Sequence, residues 1–95
     1  MAAYLIAQIR IHDPEPFKKS GAAVPATIAQ YGGKYHVRGG AVTPKEGSWN
    51  PNRVIVLEFP DMAALNRWYD SPEYQEIIGI RFDAAQGDMI FVEGV

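Results

Sequence analysis

The chain contains no cysteine. That one absence removes disulfide staples, thiolate nucleophiles and cysteine-ligated metals together, and it leaves the redox compartment unconstrained. Histidine is nearly as scarce: His12 and His36 are the only two. Neither sits in facial-triad spacing, so no metal and no cofactor is expected. A basic patch is missing as well. Nine Lys and Arg residues are scattered among eleven Asp and Glu residues, for a net charge of -2 and a pI near 5.6. Without an electrostatic footprint, neither nucleic acid nor an anionic membrane is an expected partner. No run approaches the ~20 apolar residues of a membrane span. The first ten residues lack a basic start and are broken by Gln8 and Arg10, unlike a signal peptide, so a cytoplasmic location is expected. Internal repeats and low-complexity segments are absent. The glycine pairs lack the lysine and helix start of a phosphate-binding loop.

What is present describes one ordinary folded domain, spanning residues 1–95. Hydrophobic residues make up 47% and charged residues 21%, a globular rather than a disordered composition. A domain of this length buries roughly 60% of its unfolded surface and is only moderately stable alone. Its most informative stretch runs Tyr31-Gly32-Gly33-Lys34-Tyr35-His36-Val37-Arg38-Gly39-Gly40, a short strand bracketed by glycine pairs that mark changes of direction.

Residues 4–11 alternate, with Leu5, Ala7, Ile9 and Ile11 on one face and Tyr4, Ile6, Gln8 and Arg10 on the other, which predicts a strand. Asp13 before Pro14 then reads as an N-cap with proline at the first helical position. The stripe Phe17, Gly21, Val24, Ile28 and Tyr31 predicts a helix down to the first glycine pair. Pro25 inside it predicts a kink or break near Gly21. Residues 43–52 read as an irregular loop, and 53–59 as the clearest strand, ended by Pro60. Asp61 caps a helix through Tyr69, and Ser71-Pro72-Glu73 repeats the cap logic for a second. Gln86-Gly87-Asp88 is expected to turn into a last strand over residues 89–93.

The order strand, helix, strand, strand, helix, strand is the βαββαβ pattern of an α+β ferredoxin-like sandwich, with a four-stranded antiparallel sheet and helices on one face. The opposite face carries Tyr4, Ile6, Val54 and Val56, too apolar to leave in water, so a homodimer through the sheet face is expected.

Four motifs carry a family resemblance: Tyr31-Gly32-Gly33, Val37-Arg38-Gly39-Gly40, the strand ending Glu58-Phe59-Pro60, and Trp68-Tyr69-Asp70-Ser71-Pro72-Glu73-Tyr74. Together they resemble a small bacterial domain-of-unknown-function family within the dimeric α+β barrel superfamily, across essentially the whole chain. The resemblance implies a ferredoxin-like subunit whose sheet stacks on that of a second copy. It implies no activity. Characterised relatives in the superfamily include cofactor-free monooxygenases, lactone isomerases and haem-dependent enzymes, so a catalytic pocket is an expectation by fold analogy.

Two sets of residues are candidates for chemistry. Strand parity places His36 and Arg38 on one face, shared with Gln8, Arg10 and Glu58 between the sheets. His36 or Glu58 would move a proton there while Arg38 holds an anion. The plainer alternative is an Arg38–Glu58 ion pair that fixes the dimer, with His36 solvated at the rim. The second set is Trp49, Trp68, Tyr69, Tyr74 and Arg81, where an arginine interrupts an apolar stripe beside aromatic rings. Its fork suits the carboxylate of a small organic acid. The alternative is that Trp68 and Tyr74 are core and Arg81 caps carbonyls or pairs with Asp70 or Glu93. The expected function is a small-molecule pocket for an anionic or aromatic ligand, with or without cofactor-free turnover; a non-catalytic ligand-binding or assembly module is the other reading.

Overall fold

The computed structural model describes the backbone of residues 1–95 and the side chains of all but Ser20. Strand β1 (Ala3–Ile11) leads into helix α1 (Pro14–Gln30), then strands β2 (Lys34–Arg38) and β3 (Arg53–Phe59). Helices α2 (Met62–Tyr69) and α3 (Pro72–Ala84) and strand β4 (Ala85–Glu93) complete the chain. The sheet order is β2-β3-β1-β4 with every neighbouring pair antiparallel, the arrangement of the ferredoxin-like sandwich. No helix is long and apolar enough to cross a membrane.

Alternation sorts the sheet into two faces. Ala3, Leu5, Ala7 and Ile9 of β1 and Leu57 and Phe59 of β3 are buried against the helices, which contribute Ile28, Leu65, Trp68 and Tyr74. Trp68 is fixed by a hydrogen bond from its indole Nε1 to Thr27 Oγ1 at 3.0 Å, and that hydroxyl donates in turn to the Val24 carbonyl at 2.7 Å. The polar end of the largest core ring is thereby satisfied where leaving it bare would be costly. The other sheet face has no helix over it. Tyr4, Ile6, Val54 and Val56 are half-buried there, and Ile90 and Val92 stand exposed.

Two caps form as the sequence dictates. Asp61 Oδ1 accepts from the Ala64 N–H at 2.7 Å, and the Ser71 hydroxyl accepts from the Tyr74 N–H at 3.2 Å. Asp13 makes no side-chain cap bond; the N–H groups of His12 and Asp13 instead both reach the Ala84 carbonyl, at 3.0 Å each. That contact ties the start of α1 to the end of α3.

Three expectations are corrected. Helix α1 runs unbroken through Pro25. Pro25 removes the N–H that would bond the Gly21 carbonyl, and the helix carries on past that gap. Strand β4 begins at Ala85, directly after α3, so Gln86-Gly87-Asp88 is strand rather than turn. An added Cβ at Gly87 would strike the Gln8 carbonyl, so this glycine permits close approach of two strands rather than a turn.

The third correction matters most for function. In β2, Tyr35 pairs with Leu57, Val37 with Val56 and Arg38 with Ile55, leaving His36 as an extra residue in a bulge. Two residues opposing one shift the side-chain alternation by one position. Tyr35 and Arg38 therefore face the helices, while His36 faces the open side of the sheet.

Candidate ligand-binding site

The bulge delivers Arg38 to a gap between sheet and helices, and α1 supplies an anchor for it. Proline has no N–H, so the Gly21 carbonyl loses its α-helical donor. Arg38 Nη2 donates to that carbonyl at 3.3 Å. Gly39, at φ 74°, ends the strand immediately afterwards, and an added Cβ there would meet the guanidinium of Arg53. The close passage of backbone and side chain needs a glycine at that position.

The gap is a cavity of about 90 Å³ walled by Leu5, Ala7, Val24, Ile28, Ile55 and Leu57. Its polar lining consists of Arg38, Arg53, Arg81, Tyr35 and Tyr74, with Trp68 alongside. A wider hollow of about 410 Å³ shares Phe17, Gly21, Arg38 and Arg53 with it and adds Lys18. Four of the nine Lys and Arg residues (Lys18, Arg38, Arg53 and Arg81) line these two spaces, and none of the eleven acidic residues does. An acidic protein has thus gathered cations around one apolar cavity.

These cations are short of partners. The Nε atoms of Arg53 and Arg81 are buried and have no hydrogen-bond partner among the described residues. Arg38 stacks over the Tyr35 ring at 4.9 Å and Arg53 over Phe17 at 5.8 Å, contacts that use guanidinium faces and leave N–H edges free. Burial pushes the Tyr35 phenol above its usual range, against the pull of Arg38 and Arg53. Burial does the same to Tyr74, with Arg81 opposing. Both phenols are neutral hydrogen-bond donors at ordinary pH. An apolar slot with two buried Nε donors free of acceptors among the described residues, beside neutral phenols, has the groups that could donate to an oxyanion.

The expected residues are divided by this geometry. Arg81, Trp68 and Tyr74 come together at the cavity, and Trp68 and Tyr74 are core residues as well, their rings 4.2 Å apart. Tyr69 packs edge-on against Phe91 at 5.6 Å, outside the lining. Trp49 stands 64% exposed in the long loop, away from the cavity. His36 and Glu58 do meet, with His36 Nε2 2.7 Å from Glu58 Oε1, but on the opposite side of the sheet from Arg38. Neither the shared basic face nor an Arg38–Glu58 ion pair exists; Glu58 is approached instead by Lys34, at 4.0 Å. Lys18, Arg53 and Tyr35 were not singled out from the sequence. Arg53 was detectable, since it lies in phase with Ile55, Leu57 and Phe59, and so was Tyr35, which regular alternation puts on the face opposite His36; the bulge redirects Arg38.

The sequence of residues 2–95 matches the model of a family described as Domain of unknown function (DUF1330). The chain belongs to the DUF1330 family. None of the curated proteins matches it. Among solved structures, this DUF1330 chain is similar to RPA0582, a protein of unknown function from Rhodopseudomonas palustris. The two are 18% identical with a TM-score of 0.74, over 99% of this chain and 82% of that one. A dimeric ferredoxin-like protein of unknown function from Jannaschia sp. CCS1 matches at 13% identity and TM-score 0.72, over 99% and 100%. SnoaB of Streptomyces nogalater, a cofactor-independent oxygenase, matches at 14% identity and TM-score 0.66, over 99% and 93%. At such identities the likeness establishes the ferredoxin-like fold and nothing about chemistry.

Proposed function

We propose that this DUF1330 protein is a homodimeric binder of small organic anions, holding the ligand between sheet and helices while a second copy covers the open sheet face. The observation that carries the reading is the cavity itself, with three guanidiniums, unpartnered Nε atoms and no carboxylate in its lining. The dimer draws on the uncovered Tyr4, Ile6, Val54, Val56, Ile90 and Val92 and on the dimeric relative from Jannaschia. Calorimetry with benzoate and hexanoate tests the pocket. Both are expected to bind the wild-type protein, and Arg53→Met to weaken them at least tenfold, about 1.4 kcal/mol. Equal affinity in wild type and Arg53→Met sinks the reading.

Cofactor-free turnover of the bound molecule is a second reading, drawn from the fold shared with SnoaB. The groups able to exchange a proton in the cavity are Tyr35 and Tyr74. His36 and Glu58 would instead act on a molecule held between two stacked sheets, and their 2.7 Å contact is the observation that favours such a site. If they act, His36→Ala abolishes turnover while leaving anion binding at Arg53 intact.

A further inference from the structure

The cavity has a charged end and an apolar end, and strand register sets them apart. Arg53 pairs with Ile9, and Ile55 pairs with both Ala7 and Arg38. Further along β3, Leu57 pairs with Leu5 and Phe59 with Ala3. At about 3.3 Å per residue, Leu57 lies roughly 13 Å along the strand from Arg53. The helices follow the same axis. The N–H groups of His12 and Asp13 bond the Ala84 carbonyl, so the start of α1 meets the end of α3, whose last turn carries Arg81. At the opposite end the Tyr31 hydroxyl and the Gln30 amide donate to Glu73, which joins the end of α1 to the start of α3. Arg38, Arg53 and Arg81 therefore enter from one end, beside Phe17 and Gly21 in the first half of α1. Leu5, Ile28, Leu57 and Trp68 close the other, each at most 2% exposed. Trp68 is held there by Thr27 and packs its ring on Tyr74 in the first turn of α3.

This polarity bears on the ligand. Phe17, Gly21, Arg38 and Arg53 line both the cavity and the wider hollow, which marks the charged end as the opening between the two spaces. The two buried nitrogens that lack a partner among the described residues, Arg53 Nε and Arg81 Nε, belong to this end. Two such donors match in number the two oxygens of one carboxylate. Arg38 is tied to the Gly21 carbonyl before any ligand arrives, and such preorganisation lowers the cost of binding. A charged group driven to the far end would lose its water among Leu5, Ile28 and Leu57, which is costly. The inner cavity has space for several waters, and so for a tail of a few carbons rather than a polycyclic body.

We propose that the site takes a short amphiphilic monocarboxylate, its carboxylate at the Arg38, Arg53 and Arg81 end and its apolar tail running toward Ile28, Leu57 and Trp68. This ligand class rests on the anion-binding reading above and gives it a direction. The guanidiniums donate to the carboxylate oxygens, and Lys18 in the wider hollow adds positive charge at the entrance. The tail leaves water for an apolar slot, so its length governs affinity.

Calorimetry on the intact protein with acetate, butyrate, pentanoate and hexanoate separates head from tail. Adipate serves as hexanoate with a second charge at its far end, and inorganic phosphate as a compact anion without a tail. Affinity is expected to rise about three- to fourfold per added methylene until the cavity is filled, and adipate to bind at least tenfold more weakly than hexanoate. Arg53→Met and Arg81→Met should each lower the whole series by one common factor of tenfold or more, leaving the gain per methylene unchanged. Val24→Ala enlarges the apolar wall and should extend the rise to a longer chain without changing acetate; thermal melting confirms that each variant is folded. Affinity that does not change with chain length, or adipate binding as tightly as hexanoate, overturns the one-ended arrangement while anion binding stands. An Arg81→Met series equal to wild type removes Arg81 from the head site and overturns it as well. Phosphate binding more tightly than every alkanoate overturns the inference in favour of a compact oxyanion site. Binding of none of these anions overturns the anion-binding reading itself.

Discussion

The two faces of the sheet contain alternating residues of the same strands, yet their polar groups are in opposite states. On the open face, His36 meets Glu58 at 2.7 Å and Gln8 Nε2 donates to Asp88 Oδ2 at 2.7 Å. On the helix face, Arg53 and Arg81 each retain a buried nitrogen with no acceptor among the described residues. Groups that satisfy one another have little left to offer a ligand, whereas buried donors without acceptors favour any molecule that supplies them. On the proposed function, the capacity to bind is therefore concentrated on the more buried face. The open face has apolar surface to lose and pairs that need no third party, the character of an interface between subunits.

The contrast can be broken most forcefully by substitutions that act on one face alone. Phe59→Ala empties a fully buried position on the helix face and is expected to cost about 3–5 kcal/mol. Chemical denaturation should show that loss at any protein concentration. Val56→Asp, on the open face, should instead convert a dimer to a monomer in sedimentation at micromolar concentration. A Val56→Asp protein that still sediments as a dimer removes the open face as the interface.

Gly33→Ala probes the packing of the helix face. An added Cβ would lie 2.5 Å from the Phe59 ring, and overpacking of this kind costs about 1–3 kcal/mol. Gly21→Ala should act in the other direction. Nothing lies within 4 Å of a Cβ at that helical position, so a gain of about 0.5–1 kcal/mol in unfolding free energy is expected. A destabilised Gly21→Ala would mean that the added methyl disturbs the packing of Arg38 against this turn of α1.

The smallest expected effect is on pH dependence. Burial raises the Tyr35 and Tyr74 phenols above the reference value of 10.0, so folding favours their protonated forms. Their stabilising contribution is full below pH 10.0 and is lost as the pH rises through the higher folded values. Tyr74→Phe should flatten the alkaline limb of the stability curve measured by denaturant melts. An unchanged limb would show that Tyr74 titrates as freely as it does in the unfolded chain.

Much of the fold was legible because it rests on short-range rules. Alternation in residues 4–11 and 53–59, the Asp61 and Ser71 caps and the order of elements each depend on neighbours within a few positions, and those features led to the observed sheet. Arg81 and Tyr74 were legible for the same reason, as an arginine and an aromatic ring on one helical stripe. The failures were non-local. Gln86-Gly87-Asp88 has turn composition, but pairing with β1 extends the strand through it. Pro25 resembles a helix break, but packing of α1 against the rest of the domain retains the helix.

The sequence by itself determined the class of fold, the two-faced sheet, the apolar surface left uncovered and the absence of thiol chemistry. Only the tertiary structure decided which face receives Arg38. That choice depends on one extra residue, His36, in the pairing of β2 with β3. A single-residue slip reverses every side chain beyond it, and nothing in the spacing of Tyr35, His36, Val37 and Arg38 distinguishes a bulged strand from a regular one. The structure likewise brought Arg53, Arg38 and Arg81 to one cavity, a convergence made by strand register and helix packing rather than by any motif.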